Sequence, residues 1–281
     1  AQCLTHMLEQ WNIAENTKNL YWEEGMCGLT DSGFPNWHFE WTQDLSYVTR
    51  TTESAVSIHP ESTYNEAIAE FEIGSFFPTI INFVSWSPSE SVLLTISRNP
   101  DRDETGVETW YVTTGENLIS IFIYPSSVES ITWRPYHDTF LLKTELDSDY
   151  IVNLIGAQDF SIPYKFIVTD NQTYVWQPDG ERLAIEQADP ENRSLDILNG
   201  DTGELLLSIP STQDVGFSWH PIKDWITIST GTDITIVDVE TGDMITSQAI
   251  TGGVGKWSPD GTKLVVYRGG RIHVWEYIVN P

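Results

Sequence analysis

Apolar and polar positions alternate along most of the chain, and the alternation recurs six times around a tryptophan. The segments HFEWTQDLSYVT, FVSWSPSESVLLTIS, SITWRPYHDTFLLKT, TYVWQPDGERLAIEQ, GFSWHPIKDWITIST and VGKWSPDGTKLVVYR align on Trp41, Trp86, Trp133, Trp176, Trp219 and Trp257, with spacings of 45, 47, 43, 43 and 38 residues. Two residues before the tryptophan stand Phe39, Val84, Ile131, Tyr174, Phe217 and Gly255; two after it come Gln43, Pro88, Pro135, Pro178, Pro221 and Pro259. Seven and nine residues after it, Leu93/Thr95, Phe140/Leu142, Leu183/Ile185, Ile226/Ile228 and Leu264/Val266 are almost all apolar. Period-two alternation on both sides of a Pro-Asp-Gly type turn predicts a β-hairpin in every unit.

Each unit then supplies two further strands. VETWYVTTGENLISIFI, SLDILNGDTGELLLSI and DITIVDVETGDMITSQAI each read as strand, Thr-Gly turn and strand. Four antiparallel strands per unit at a period near 40–45 residues predict an all-β chain forming one six-bladed β-propeller over residues 1–281. The last unit supplies KLVVYR and RIHVWEYI before the sequence ends, one strand short of four. Residues 17–25, TKNLYWEEG, have strand composition and are expected to close the ring as the outer strand of that blade. Ahead of them, Leu4, Met7, Leu8 and Trp11 fall at helical spacing, which predicts a short amphipathic helix in an N-terminal tether, residues 1–16.

The Trp-Ser-Pro-Asp-Gly turn, its following strand and the VDVETG turn resemble WD-repeat-like propellers of the TolB type. The resemblance spans residues 35–281 and is strongest at Trp176-Gln177-Pro178-Asp179-Gly180 and Trp257-Ser258-Pro259-Asp260-Gly261. The first unit lacks the Pro and Gly, and the third and fifth keep only Trp-x-Pro. Such a motif implies architecture and leaves function open.

Charge narrows the partners. With 41 Asp+Glu against 14 Lys+Arg the net charge is −27, so nucleic acid and anionic membrane surfaces are repelled. Cations, basic proteins or simple solubility suit such a surface. No apolar run reaches the ~18 residues of a membrane-spanning helix. The sequence starts at Ala1, which reads as a processed N-terminus. Cys3 and Cys27, the only cysteines, are expected to form one disulfide, with two buried thiols as the alternative. Low lysine content and the triplets Asn171-Gln172-Thr173 and Asn192-Arg193-Ser194 point to an extracytoplasmic, secreted or cell-surface setting.

The chemistry-bearing residues collect in loops. Opposite the Pro-Asp-Gly and Thr-Gly turns lie 99–106, 145–149, 169–172, 188–194 and 211–214, carrying Asp101, Asp103, Glu104, Glu145, Asp147 and Asp149 as candidate partner-binding acids. None of these runs has the spacing of a twelve-residue calcium loop, and aspartate suits turns for local reasons. A second set, Asn36, Asn82, Glu129, Asn171 (with Gln172) and Asp214, precedes five of the tryptophans and is similar to the oxygen ring with which lactonase-like propellers hold a metal, so calcium enters as a candidate cofactor. The six histidines lack His-Glu-x-x-His spacing, and Gly216-Phe217-Ser218-Trp219-His220 lies before a turn where a nucleophile elbow needs a strand–turn–helix. His220 is expected to cap its turn. Phe76, Phe77, Trp110, Tyr136 and Trp225 are candidate sugar-stacking or partner aromatics. The six anchor tryptophans are expected to be structural. The reading is a non-catalytic interaction or scaffold module with a protein partner or homo-oligomeric assembly. A calcium-dependent hydrolase and a carbohydrate-binding propeller are the alternatives.

Overall fold

A computed structural model describes residues 4–12, 17–26, 39–51, 54–61, 66–73, 80–99, 101–123, 128–146, 149–169, 172–187, 193–211, 216–230, 232–249, 255–268 and 271–276. It is all-β. Sheet one comprises β3 (Phe39–Trp41), β4 (Tyr47–Thr51), β5 (Ala55–Pro60) and β6 (Ala69–Glu72), and sheet two β7 (Ile80–Trp86), β8 (Val92–Asn99), β9 (Glu104–Tyr111) and β10 (Asn117–Ile123). Sheet three comprises β11 (Val128–Trp133), β12 (Thr139–Leu146), β13 (Asp149–Gly156) and β14 (Lys165–Val168). Sheet four holds β15 (Tyr174–Trp176), β16 (Arg182–Gln187), β17 (Ser194–Asn199) and β18 (Leu205–Pro210). Sheet five holds β19 (Gly216–Trp219), β20 (Trp225–Ser229), β21 (Ile234–Asp238) and β22 (Met244–Gln248). Sheet six has three strands, β23 (Gly255–Trp257), β24 (Lys263–Arg268) and β25 (Arg271–Glu276). In every sheet the strands pair in chain order, so each anchor tryptophan ends the first strand.

The N-terminal segment differs from expectation. Leu4–Asn12 is a strand, β1, which pairs antiparallel with β2 (Thr17–Met26) over nine register positions, from Leu4↔Met26 to Asn12↔Thr17, with a register shift at Leu8/Glu9. A helix of that length is marginal on its own, whereas the neighbouring β2 satisfies its backbone groups by cross-strand bonds. Among the described residues β2 pairs with β1 alone and sheet six ends at β25, so the expected closing pair is not formed there. Cys3 and Cys27 lie outside the described residues.

The chain divides into two compact units: 1–128 with 138–140 and 156–161, and 129–137, 141–155 and 162–281. In the first, Val56, Ile58, Phe71, Ile81, Val84, Trp86, Leu93 and Trp110 pack sheet one against sheet two. In the second, Leu141, Val152, Trp176 and Leu183 join sheets three and four, and Leu195, Ile197, Phe217, Trp219 and Ile226 join sheets four and five. Ile234, Ile236, Leu264 and Val266 join five and six. The apolar positions seven and nine residues past the tryptophans are buried: the alternation reports the face of each second strand.

The tryptophans are less uniform. Trp86, Trp176 and Trp219 are buried and Trp133 and Trp257 half-buried, but Trp41 is 39 % exposed. Two indoles donate to the carbonyl just before the preceding sheet's tryptophan: Trp86 Nε1 to Glu40 O at 3.2 Å and Trp219 Nε1 to Val175 O at 3.0 Å. Trp257 Nε1 instead reaches Thr227 Oγ1 at 2.8 Å.

Candidate interaction surfaces

In sheets one to five the turn after the first strand is bonded to the turn after the third. The residue five past the tryptophan offers its carbonyl to a backbone N–H beyond the third strand: Glu61 N to Ser46 O (2.8 Å), Val112 N to Ser91 O (3.1 Å), Ala157 N to Asp138 O (2.9 Å), Gly200 N to Glu181 O (2.8 Å) and Val239 N to Asp224 O (2.8 Å). The turn after the tryptophan and the turn after the third strand therefore share one end of each of these sheets, Trp-x-Pro and Thr-Gly turns among them, as the sequence predicts.

Successive sheets are tied at that same end. Gln43 N donates to Glu90 Oε1 at 2.7 Å, Ser89 Oγ to Asp138 Oδ2 at 2.7 Å, Arg134 Nε to Gly180 O at 2.7 Å and Gln177 Nε2 to Asp224 Oδ1 at 2.9 Å. Arg134 is buried, bonds Asp201 Oδ1 at 2.6 Å and lies over the Trp176 ring at 5.4 Å; its hydrogen bond and charge hold Asp201 below the usual carboxylate range. Asp224 also receives Arg182 Nη1, and bonds from Gln177 and Arg182 lower its pKa.

His220 caps its turn, as expected. Nδ1 accepts Ile222 N at 3.1 Å and Lys223 N at 2.9 Å, and Nε2 faces Gly261 O at 3.1 Å. A carbonyl only accepts, so Nε2 carries the proton and the ring is neutral. Burial lowers its pKa from 6.5. The aspartates of these turns are likewise committed to local bonds. Asp260 accepts Ser258 Oγ, Thr262 N and Thr262 Oγ1, which bring its carboxyl down to about 2. Arg134, Gln177, His220 and Asp260 in these turns thus spend their polar groups on structure.

The acids at the opposite ends stand differently. Asp101 and Asp103 are exposed in the tight turn between β8 and β9, with Asp103 at φ 52° and paired with Arg98 Nη2 at 3.1 Å. Glu104 already begins β9, Glu145 lies exposed in β12 and Asp149 begins β13 half-buried. The loops are thus shorter than 99–106 and 145–149 suggested, and the strands carry part of the acidity to their ends. Asp147 lies outside the described residues.

The proposed metal ring is only partly described. Asn36, Asn171 and Asp214 fall outside the described residues. Asn82 stands within β7 at its register shift, and Glu129 is exposed in β11. Gln172, beside them in sequence, is spent on backbone: Oε1 accepts Thr169 N at 2.6 Å and Nε2 donates to Glu186 O at 2.8 Å. Among the described residues no three His, Cys, Asp or Glu side chains converge as metal ligands.

The candidate aromatics divide. Trp110 is buried and stacked on Phe71 at 5.0 Å, so it is core and not a ligand platform. Trp225 is half-buried, edge-on to His220 and beneath Lys223 Nζ. Tyr136 is 81 % exposed at φ 59°. Phe76 and Phe77 lie outside the described residues. Sequence reasoning missed Glu40. Its Oε1 accepts Ser85 Oγ at 3.1 Å, Oε2 is buried with no hydrogen-bond partner among the described residues, and burial raises its pKa to about 7. It stands just before Trp41, where the other units place Ser85, Thr132, Val175, Ser218 and Lys256.

These features define a WD-like β-propeller fold built from six sheets, the last of three strands. No protein-family profile matches the chain, and no curated protein does. Solved structures do. A eukaryotic initiation factor matches with TM-score 0.66 and 14 % identity, covering 98 % of this chain and 72 % of that one. Hsv2 of Kluyvelomyces marxianus matches with TM-score 0.50 and 13 % identity, covering 86 % and 72 %. The dihydro-heme d1 dehydrogenase NirN, in complex with DHE, matches with TM-score 0.51 and 13 % identity, covering 85 % of this chain and 53 % of its own. At these identities the likeness concerns the fold alone, and a dehydrogenase among the neighbours means that the fold does not decide between binding and catalysis.

Proposed function

We propose that the chain is a non-catalytic protein-interaction module, a scaffold subunit acting outside the cytoplasm, and that it receives a basic partner on the acidic ends of its second and third strands. The observation that carries this reading is the contrast between the two ends of the sheets. At the turn end Arg134, Gln177 and His220 bond to the next sheet, whereas Asp101 and Asp103 of sheet two and Glu145 of sheet three are exposed at the other end of their own sheets. Exposed acids speed encounter with a partner of the opposite sign. The extracytoplasmic setting is supported by the sequence signals alone.

The test neutralises Asp101, Asp103, Glu145 and Asp149 to Asn or Gln and measures association with a lysine-rich probe protein across a salt series. Slower association with a flattened salt dependence and an unchanged melting temperature supports the proposal. Unchanged association overturns it.

A further inference from the structure

In sheets one, three and four the outer strand is covered by the next sheet. Phe71 of β6 stacks on Trp110 and sits under the turn at Gly115. Tyr164, just ahead of β14, lies against Gly203, and Leu207 of β18 against Gly242. Each of these glycines stands in the turn that joins the third and fourth strands of the following sheet. For β22 no such turn exists among the described residues, because sheet six stops at its third strand. All five residues of β22 are exposed, including Met244 and Ile245. Beside them a cavity of about 480 Å³ opens between sheets five and six, lined by Ile236, Gln248, Trp257, Leu264, Trp275 and Glu276 among others. The outer edge of β25 has no paired strand among the described residues, and its Ile272 is 69 % exposed.

The surroundings supply a charge preference. Glu240 and Asp243 are exposed in the turn that leads into β22, and Glu276 ends β25. The cross-sheet bond from His220 to Gly261 places these ends on the same side of the two sheets. Lys263, paired with Glu276 at 3.4 Å, offsets one of these acids, and the chain as a whole carries −27.

We propose that this groove takes an extended segment of a protein partner, added as the fourth strand of sheet six antiparallel to β25, with apolar side chains alternating with lysine or arginine. Backbone bonds to the open edge give the segment its affinity, the apolar side chains fill the cavity beside Leu264 and Trp275, and the basic ones answer the acids at its N-terminal end. The proposal rests on the interaction-module reading only in expecting a partner, and it uses a surface separate from Asp101, Asp103 and Glu145.

The experiment titrates the full chain with a fluorescent peptide of about eight residues alternating valine and lysine, beside a valine–glutamate peptide of equal length. The lysine peptide is expected to saturate the chain and to bind at least about tenfold more tightly, a difference of about 1.4 kcal/mol. In Glu276→Lys that preference should shrink. Hydrogen exchange at the β25 amides not bonded to β24 should be fast in the free chain and slow with the peptide bound. Equal binding of both peptides, or saturation by neither, overturns the proposal. So does slow exchange in the free chain: if it persists on dilution the occupant is the chain's own β-hairpin, and if it is lost, a second copy. Failure here while the loop-acid variants still slow association removes the groove and leaves the interaction module standing.

Discussion

His220 Nε2 lies 3.1 Å from the carbonyl of Gly261, so a ring in the turn of sheet five is hydrogen-bonded to the glycine of the turn of sheet six. The glycine is required there: it sits at φ 68°, and a Cβ would come within 2.4 Å of the imidazole. The same ring is edge-on to Trp257 at 4.5 Å. One residue thereby caps its own turn and fixes the neighbouring sheet.

Replacing His220 with Ala strands two backbone N–H groups and one carbonyl, which should cost about 1–3 kcal/mol. The loss should depend on pH. Burial depresses the folded pKa below 6.5, so the folded state resists protonation. The contribution is fully present above that unfolded value and declines as pH falls through it. Urea midpoints of the native chain and the variant should differ more at pH 8 than at pH 5.5; a constant difference contradicts the assignment.

Phe160 occupies a glycine position. Its N–H bonds to Gly156 O, as Gly115, Gly203 and Gly242 bond to Tyr111, Asn199 and Asp238 O, and all four residues have positive φ. Phe160→Gly should therefore raise the melting temperature by about 2 °C, since left-handed backbone costs a non-glycine residue about 1 kcal/mol. Gly203→Ala should lower it, because the Cβ would meet the Tyr164 ring at 2.5 Å. Opposite signs by calorimetry check the pair.

The turn register explains what the sequence could disclose. The second-strand columns, the Thr-Gly turns and the shared end of both turns follow from alternation and from glycine where positive φ is needed. The same conformation at Leu45, Glu90, Tyr136 and Phe160 is imposed by the repeat against local preference, so no residue type announces it. Leu4, Met7, Leu8 and Trp11 fit a helix by spacing, but the neighbouring strand Thr17–Met26 decides the outcome through a long-range ladder invisible to local periodicity. The acids of the candidate surface were legible as types. Their division between strand ends and turns was not, because β9 and β13 start earlier than the polar runs suggest.

The anchor tryptophans should respond unequally. Trp219→Ala removes a buried ring and a hydrogen bond to Val175 O, and should cost about 3–5 kcal/mol. Trp41, partly in solvent, should cost roughly 1–2 kcal/mol. Equal losses in denaturant titrations would contradict the burial difference.

Glu40 should give the opposite pH trend to His220. Its folded pKa of about 7 lies above the usual 4.5, so the folded state binds the extra proton. Its favourable contribution is present below about 4.5 and is lost as pH rises toward 7. Glu40→Gln should be more stable than the native chain at pH 8 and closer to it at pH 4, as read by urea midpoints. A variant less stable at pH 8 would contradict this.

The claim that the exposed acids meet a partner is tested most directly by carboxyl footprinting. Labelling with a carbodiimide and glycine ethyl ester, in the native source material and on the isolated chain, compares each acid in the two settings. The account predicts that Asp101, Asp103 and Glu145 lose labelling in the native setting, while Asp179 and Glu204, exposed at the turn end, label equally in both. Equal labelling of all five in both settings would contradict it.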